Sequence, residues 1–158
     1  MLNQPPFKLR TAQASDYAIV GSWITDADGC RRWAGPRLPF PFEVTDLPAL
    51  LNATLDTTFS LLDADRLVGF GQILTPAPGT VHLARIIVDP AARGHGLGAT
   101  LCQLLMAHAV STMAPSRFTL RVYSDNAAAV KTYTGLGFVT VDADPATAVL
   151  LMQKLVDR

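Results

Sequence analysis

VHLARIIVDPAARGHGLGATL, residues 81–101, is the stretch that decides the fold. Its first half, Val81 to Val88, is rich in β-branched residues and reads as a long strand. Asp89-Pro90-Ala91-Ala92 interrupts it. Arg93-Gly94-His95-Gly96-Leu97-Gly98 then opens a helix predicted from about Leu97 to Met113, with Leu97, Leu101, Leu104, Leu105 and His108 at helical spacing on one face. A helix start leaves N–H groups without intrahelical partners and carries partial positive charge. Glycines let the backbone turn with positive φ and approach a ligand without Cβ clashes. Strand, glycine turn and helix together form a cradle for an anion such as a pyrophosphate, with Arg93 able to add a charged contact.

Gly94-His95-Gly96-Leu97-Gly98-Ala99 also satisfies the G-x-G-x-x-A dinucleotide fingerprint, and Asp125 at the end of the next strand could serve its ribose. The surrounding elements argue against that reading. Upstream, Phe7 to Arg10 reads as a strand. A helix capped by Ser15 or Asp16 runs through Ile19, Val20 and Trp23. Asp26 to Phe42 is expected to be mostly loop, with a helical turn near Cys30 to Trp33. Asp46 then looks like an N-cap, with proline in the first turn, for a helix to about Leu55. Thr58 to Leu62 and Leu67 to Leu74 form a hairpin around Asp63-Ala64-Asp65-Arg66, and Pro76 to Gly79 turns the chain into the strand of residues 81–88. Downstream come a strand, Phe118 to Tyr123, a helix, Asn126 to Leu136, and two closing strands, Phe138 to Val141 and Thr147 to Leu155. Antiparallel strands come first and only one β-α-β crossover follows, so the class is α+β (mixed α/β) rather than doubly wound.

At 158 residues the chain is expected to be a single domain, residues 1–158, and 49% hydrophobic content supports a sizeable core. Thirteen basic residues balance thirteen acidic ones, which removes any bulk electrostatic drive toward nucleic acid or a membrane surface. Cys30 and Cys102 make neither a metal-ligand spacing nor a disulfide framework. No leader-like stretch opens the sequence and no apolar run approaches about 18 residues, so a soluble cytoplasmic protein is expected. A homodimer is compatible with all of this.

The second motif is Asn126-x-x-Ala129-x-x-x-Tyr133-x-x-x-Gly137-Phe138. Asn126 is a natural N-cap, Ala129 and Tyr133 share a helix face, and Gly137 suits the helix end. Taken with Val88-x-Pro90-x-x-Arg93-Gly94-x-Gly96-Leu97-Gly98, it resembles the GCN5-related N-acetyltransferase (GNAT) family, in the right order and about thirty residues apart. The resemblance implies a central, mostly antiparallel mixed sheet of about seven strands with about four helices, and acetyl-CoA as cofactor, without a metal. It further implies that the backbone of Arg93, Gly94, His95, Gly96, Leu97 and Gly98 binds the CoA pyrophosphate. The backbone of Ile86, Ile87 and Val88 would pair with the pantetheine arm in a gap where the 81–88 and 118–123 strands splay. Asn126 would bond that arm, and Tyr133 would face the sulfur.

The implied reaction is attack by a neutral primary amine, of a small molecule or a peptide, on the thioester, with no acyl-enzyme. A backbone N–H near Ile87 or Val88 would stabilise the oxyanion, and Tyr133 would act as acid. Strand alternation places His82, Ala84, Ile86 and Val88 on one face, which makes His82 the candidate base, with ordered water as the alternative. Arg85, on the other face, reads as structural or solvated. For the acceptor, Trp33, Phe40 and Phe42 could wall an apolar pocket, and Asp26, Asp28 and Glu43 could attract a cationic amine. A non-catalytic acyl-CoA-binding module on the same fold is the second reading, although binding alone needs no acid at the sulfur.

Overall fold

The computed structural model describes residues 6–157. Seven strands form one sheet: β1 (Phe7–Thr11), β2 (Thr58–Asp63), β3 (Arg66–Ala77), β4 (Thr80–Val88), β5 (Arg117–Tyr123), β6 (Val139–Asp144) and β7 (Val149–Leu155). The helices are α1 (Asp16–Ser22), α2 (Ala27–Ala34), α3 (Leu47–Leu50), α4 (Leu97–Met113) and α5 (Ala127–Gly135). The sheet order is β1-β2-β3-β4-β5-β7-β6, with β4 and β5 parallel and every other pair antiparallel. The α+β class and the seven strands agree with the sequence reading; among the described residues there are five α-helices rather than about four.

Two apolar layers flank the sheet. On one side Leu97, Leu101, Cys102, Leu105, Met106 and Ala109 of α4 recur at three- and four-residue spacing and are buried against alternate residues of the strands, among them Val81, Leu83, Leu120 and Val122. Each fully buried leucine in such a stripe contributes about 1.5–3 kcal/mol. On the other side Tyr17, Val20, Cys30, Trp33, Leu47 and Leu51, from α1 to α3 and the residue after it, pack over Phe70 and Ile87. Glycine at Gly71 lets α4 lie close: a Cβ there would stand 2.8 Å from Ile86 Cδ1 and 2.9 Å from Leu105 Cδ1, and those side chains would have to shift.

Several local expectations are corrected. Residues 27–34 are a two-turn helix, not loop: Asp26 accepts from the Gly29 N–H at 2.6 Å, a real N-cap that the irregular pattern of the stretch concealed. The helix expected from Asp46 to Leu55 shrinks to α3 behind a 3₁₀ turn, Val44–Asp46, and the Asp46 side chain caps nothing. Ser15 also makes no cap bond; Asp16 is instead a buried hub. Its carboxylate accepts from both Arg10 guanidinium nitrogens (2.6 and 3.0 Å), the Gln13 N–H (2.8 Å) and the Ser60 hydroxyl (2.7 Å). Burial alone would raise the pKa of Asp16, but these donors hold it below the ordinary value.

The correction with the largest consequence lies in β4. Gln72 pairs with Ala84 while Phe70 pairs with Ile87, so Arg85 and Ile86 together oppose the single residue Gly71. This is a bulge, and Arg85 takes a left-handed conformation at φ 49°. The bulge shifts the alternation by one residue. Val81, Leu83, Ile86 and Val88 face α4, whereas His82 and Ala84 share the opposite face with Gln72 and Leu74. His82 therefore does not share a face with Ile86 and Val88.

Candidate active site

Pairing between β4 and β5 covers only Thr80–Leu83 against Arg117–Leu120. Beyond Leu83 the two strands separate, and β5 continues paired only to β7. A cavity of about 460 Å³ occupies the opening and reaches both faces of the sheet. On the α4–α5 side its wall is Ile86, Val122, Asn126, Ala129 and Tyr133; on the α2 side it is Trp33, His82, Arg85, Arg121 and Tyr123.

On the α4 side, Gly94 and Gly96 both have positive φ (84° and 76°), and Gly96 is the N-cap of α4. A glycine cap supplies no side-chain acceptor, so the first N–H groups of a 17-residue helix are left for another partner. A Cβ built at Gly94, Gly96 or Gly98 meets nothing within 4 Å. Gly98 lies inside the first helical turn, where alanine would be the better helix former, so nothing in the protein accounts for its bare Cα. Open space above an uncapped helix start fits a pyrophosphate held by backbone N–H groups, and the residues present therefore fit CoA. Arg93 and His95 are exposed, and Arg93 Nε donates to the Val88 carbonyl at 3.2 Å, which ties the turn to the end of β4.

Asn126 caps α5: its Oδ1 accepts from the Ala129 N–H at 3.2 Å, which leaves its NH₂ to face the cavity. Tyr133, two turns on, packs edge-on to Phe138 (centroids 6.3 Å apart) and against the α4 layer. Burial, with a smaller contribution from Cys102, pushes its phenol above the ordinary value, so the hydroxyl stays protonated at any physiological pH. Gly137, at φ 98°, ends the helix with the N–H groups of Gly137 and Phe138 bonded back to the Thr134 and Tyr133 carbonyls. That turn fixes the Tyr133–Phe138 contact.

On the other side, His82 sits deep in the cavity with Nδ1 2.8 Å from Thr119 Oγ1. Burial, then the charges of Arg121 and Arg85, push its pKa down to about 4, so the imidazole is neutral at pH 7. Trp33 is a buried core residue that tilts against Phe70 and lends one edge to the cavity; its indole N–H donates to the Arg85 carbonyl at 2.9 Å. Phe40 and Glu43 do not line the cavity: Phe40 packs edge-on to Phe42 at 6.0 Å, and Glu43 is exposed before the 3₁₀ turn. Asp26 is spent on its cap, and Asp28 on Arg31 and Arg32. Among the described residues, then, no Asp or Glu lines the cavity.

The charged side chains that do line the cavity are Arg31, Arg32, Arg85 and Arg121. Arg32 makes a two-pronged bond to Asp125 (2.8 and 2.9 Å), and both Arg31 and Arg32 lie over the Tyr123 ring at 5.1 and 5.0 Å. These contacts clamp α2 across the mouth. Sequence reading missed Arg121 and Tyr123, although Thr119, Arg121 and Tyr123 alternate with the apolar Phe118, Leu120 and Val122, which marks a polar face.

Residues 27–138 match the acetyltransferase (GNAT) family model, and the chain belongs to that family. Mycothiol acetyltransferase of Mycobacterium ulcerans (strain Agy99) is 35% identical over 136 residues, covering 81% of this chain and 41% of that protein. The Mycolicibacterium gilvum (strain PYR-GCK) protein of the same name is 39% identical over 147 residues, 89% of this chain and 43% of that one. The chain thus spans about two fifths of the length of these relatives. Among solved structures, spermidine N-acetyltransferase from Vibrio cholerae, in complex with CoA and spermine, superposes with a TM-score of 0.78 at 18% identity over 96% of each chain. The ribosomal-protein-S18-alanine N-acetyltransferase from Escherichia coli does so with a TM-score of 0.70 at 18% identity, over 96% of this chain and 95% of that one. At this identity the likeness is one of fold.

Proposed function

We propose that the chain is an N-acetyltransferase that moves the acetyl group of acetyl-CoA to a primary amine of a small molecule or peptide, by direct attack. One observation carries the reading: the β4–β5 opening joins the uncapped start of α4 to a second chamber under α2, with Tyr133 on its wall. Such a passage suits a thioester arriving from one face of the sheet and an amine from the other. The family match and the mostly antiparallel sheet, with its single parallel pair, support CoA over a nicotinamide dinucleotide.

CoA supplies the thioester. In this reading the backbone of Arg93 to Gly98 holds the pyrophosphate, Asn126 and the unpaired edge of Ile86 to Val88 hold the arm, and Tyr133 faces the sulfur. A carbon–nitrogen bond forms, the carbon–sulfur bond breaks, and one amine proton ends on sulfur. Because its pKa is raised, Tyr133 is a poor net donor to a thiolate whose thiol has the ordinary pKa, about 8.5. Its role is to donate to the departing sulfur while accepting the amine's proton, so that it stays protonated overall. His82, neutral down to about pH 4, is too weak a base to strip an ammonium; it accepts a hydrogen bond from the bound amine. The two arginines that depress His82 depress an ammonium placed beside it as well, which favours the neutral nucleophile. The proposed compartment is the cytoplasm; Cys30 and Cys102 are free and buried, and among the described residues no helix is long and apolar enough to cross a membrane.

The test is release of free thiol from acetyl-CoA with a panel of amines, alongside thermal stabilisation by CoA and by NAD. Amine-dependent thiol release, and stabilisation by CoA alone, are expected. Stabilisation by NAD but not CoA would overturn the reading. Tyr133→Phe is expected to lower kcat by about 10- to 1,000-fold while leaving CoA affinity within about threefold; unchanged kcat would remove Tyr133 from the chemistry.

A further inference from the structure

We propose that the acceptor is an amine that also carries an oxyanion, seated on Arg85 and Arg121 in the α2-side chamber; this rests on the acetyltransferase reading above. The argument begins with what each cation in the cavity is doing. Arg31 and Arg32 are paired with Asp28, and Arg32 also with Asp125. Among the described residues, Arg85 and Arg121 pair with no carboxylate, and no Asp or Glu lines the cavity.

Arg85 is also built into its position. Its backbone adopts a left-handed conformation that costs free energy for a non-glycine residue. The indole N–H of Trp33 holds its carbonyl at 2.9 Å. Its Nη1 donates to Gln72 Oε1 at 3.2 Å. Gln72 is fully buried, and its NH₂ is fixed at 3.0 Å from both the Leu51 carbonyl and Thr58 Oγ1. A buried amide with every contact satisfied thus aims one edge of a half-buried guanidinium and leaves its other donors facing the cavity. A half-buried cation without a counter-ion is costly, and a ligand oxyanion would offset that cost. Arg121, two residues beyond Thr119 on β5, shares the His82 face and borders the same chamber from the opposite strand.

The planar fork of arginine matches a carboxylate or a phosphate two-pronged. A polyamine would meet only like charge there. An amine that carries an oxyanion would anchor the oxyanion on Arg85 and Arg121 and present its nitrogen beside His82 to the opening.

The experiment compares kcat/KM for matched pairs with acetyl-CoA: L-phenylalanine against phenethylamine, glucosamine 6-phosphate against glucosamine, and spermidine by itself. The expected result is a preference of about 10- to 100-fold for the anionic member of one pair, the loss anticipated when a charged hydrogen bond is removed. Which pair responds identifies carboxylate or phosphate. Arg121→Gln, exposed and safe for folding, is expected to shrink that preference severalfold. Arg85→Lys, which keeps the charge but not the fork, is expected to raise KM for the anionic member about 10-fold. Equal use of both members in both pairs, or faster turnover of spermidine, would overturn the proposal and leave the acetyltransferase reading standing. If no amine releases thiol, that reading fails instead. Calorimetry of the same pairs on CoA-loaded protein then decides the proposal: preference for the anionic members supports it, and equal affinity overturns it.

Discussion

Replacing His82 with glutamine gives a direct measure of the electrostatics in the chamber. In the folded chain His82 titrates at about 4, against 6.5 for the free side chain, because it is buried and faces Arg121 and Arg85. Between those values the unfolded chain binds a proton that the folded chain refuses, so stability rises with pH through that window and falls as pH drops from about 6.5 to 4. Each pH unit of difference corresponds to 1.36 kcal/mol, and the full effect is about 3 kcal/mol, of which about 2 kcal/mol is already lost at pH 5. Glutamine can keep a bond to Thr119 Oγ1 but cannot titrate, and every other group is common to both proteins. Urea unfolding at pH 7.5 and at pH 5 should therefore show the stability difference between wild type and H82Q move by about 2 kcal/mol in favour of H82Q on acidification. The His82 ring protons, followed by NMR, should not titrate above pH 5. A stability difference constant within about 0.5 kcal/mol, or titration near 6.5, would refute the claim that the chamber is desolvated and cationic. It would also restore His82 as an ordinary base.

Gly98→Ala should leave the fold intact or stabilise it by up to about 1 kcal/mol, since its Cβ enters open space inside a helix, yet weaken CoA binding about 10-fold or more, as read by calorimetry. Equal CoA affinity would show that the bare Cα serves no ligand. Asp16→Ala strands Arg10, the Ser60 hydroxyl and the Gln13 N–H, and a loss of about 3–5 kcal/mol in urea unfolding is expected; a loss under 1 kcal/mol would mean that the hub is dispensable. Asp125→Asn releases an exposed pair and should cost less than about 1 kcal/mol of stability, measured by the same unfolding assay. A larger loss would make the α2 clamp part of the core.

In the proposed reading the sequence points to the cofactor half of the site much more directly than to the acceptor half, and the reason is physical. The elements that hold CoA in the proposed reading are local: a glycine turn, a helix start, an N-cap and a Tyr four residues after Ala129 each announce themselves within a few residues, because backbone geometry fixes which residues fit. Apart from the polar alternation of β5, the acceptor half depends on features with no local signature. Asp28 looked like bait for a cationic amine and is in fact neutralised one turn along its own helix; Asp125, at the far end of β5, engages Arg32 across 93 residues. The face of Arg85 turned on a single extra residue in β4, and a bulge of that kind is a property of the pair of strands, visible only once Gly71 stands opposite two residues. The period-2 rule was sound up to Ala84 and then inverted. That inversion puts His82, Ala84 and Ile87 on one side of the sheet and Ile86 and Val88 on the other, and in the proposed reading it sets an acceptor chamber apart from a cofactor edge within one strand. Gln72 was a second hint beside the polar alternation of β5: a glutamine between Gly71 and Ile73 in an otherwise apolar run must find partners when buried, and the partner it found in the cavity is Arg85.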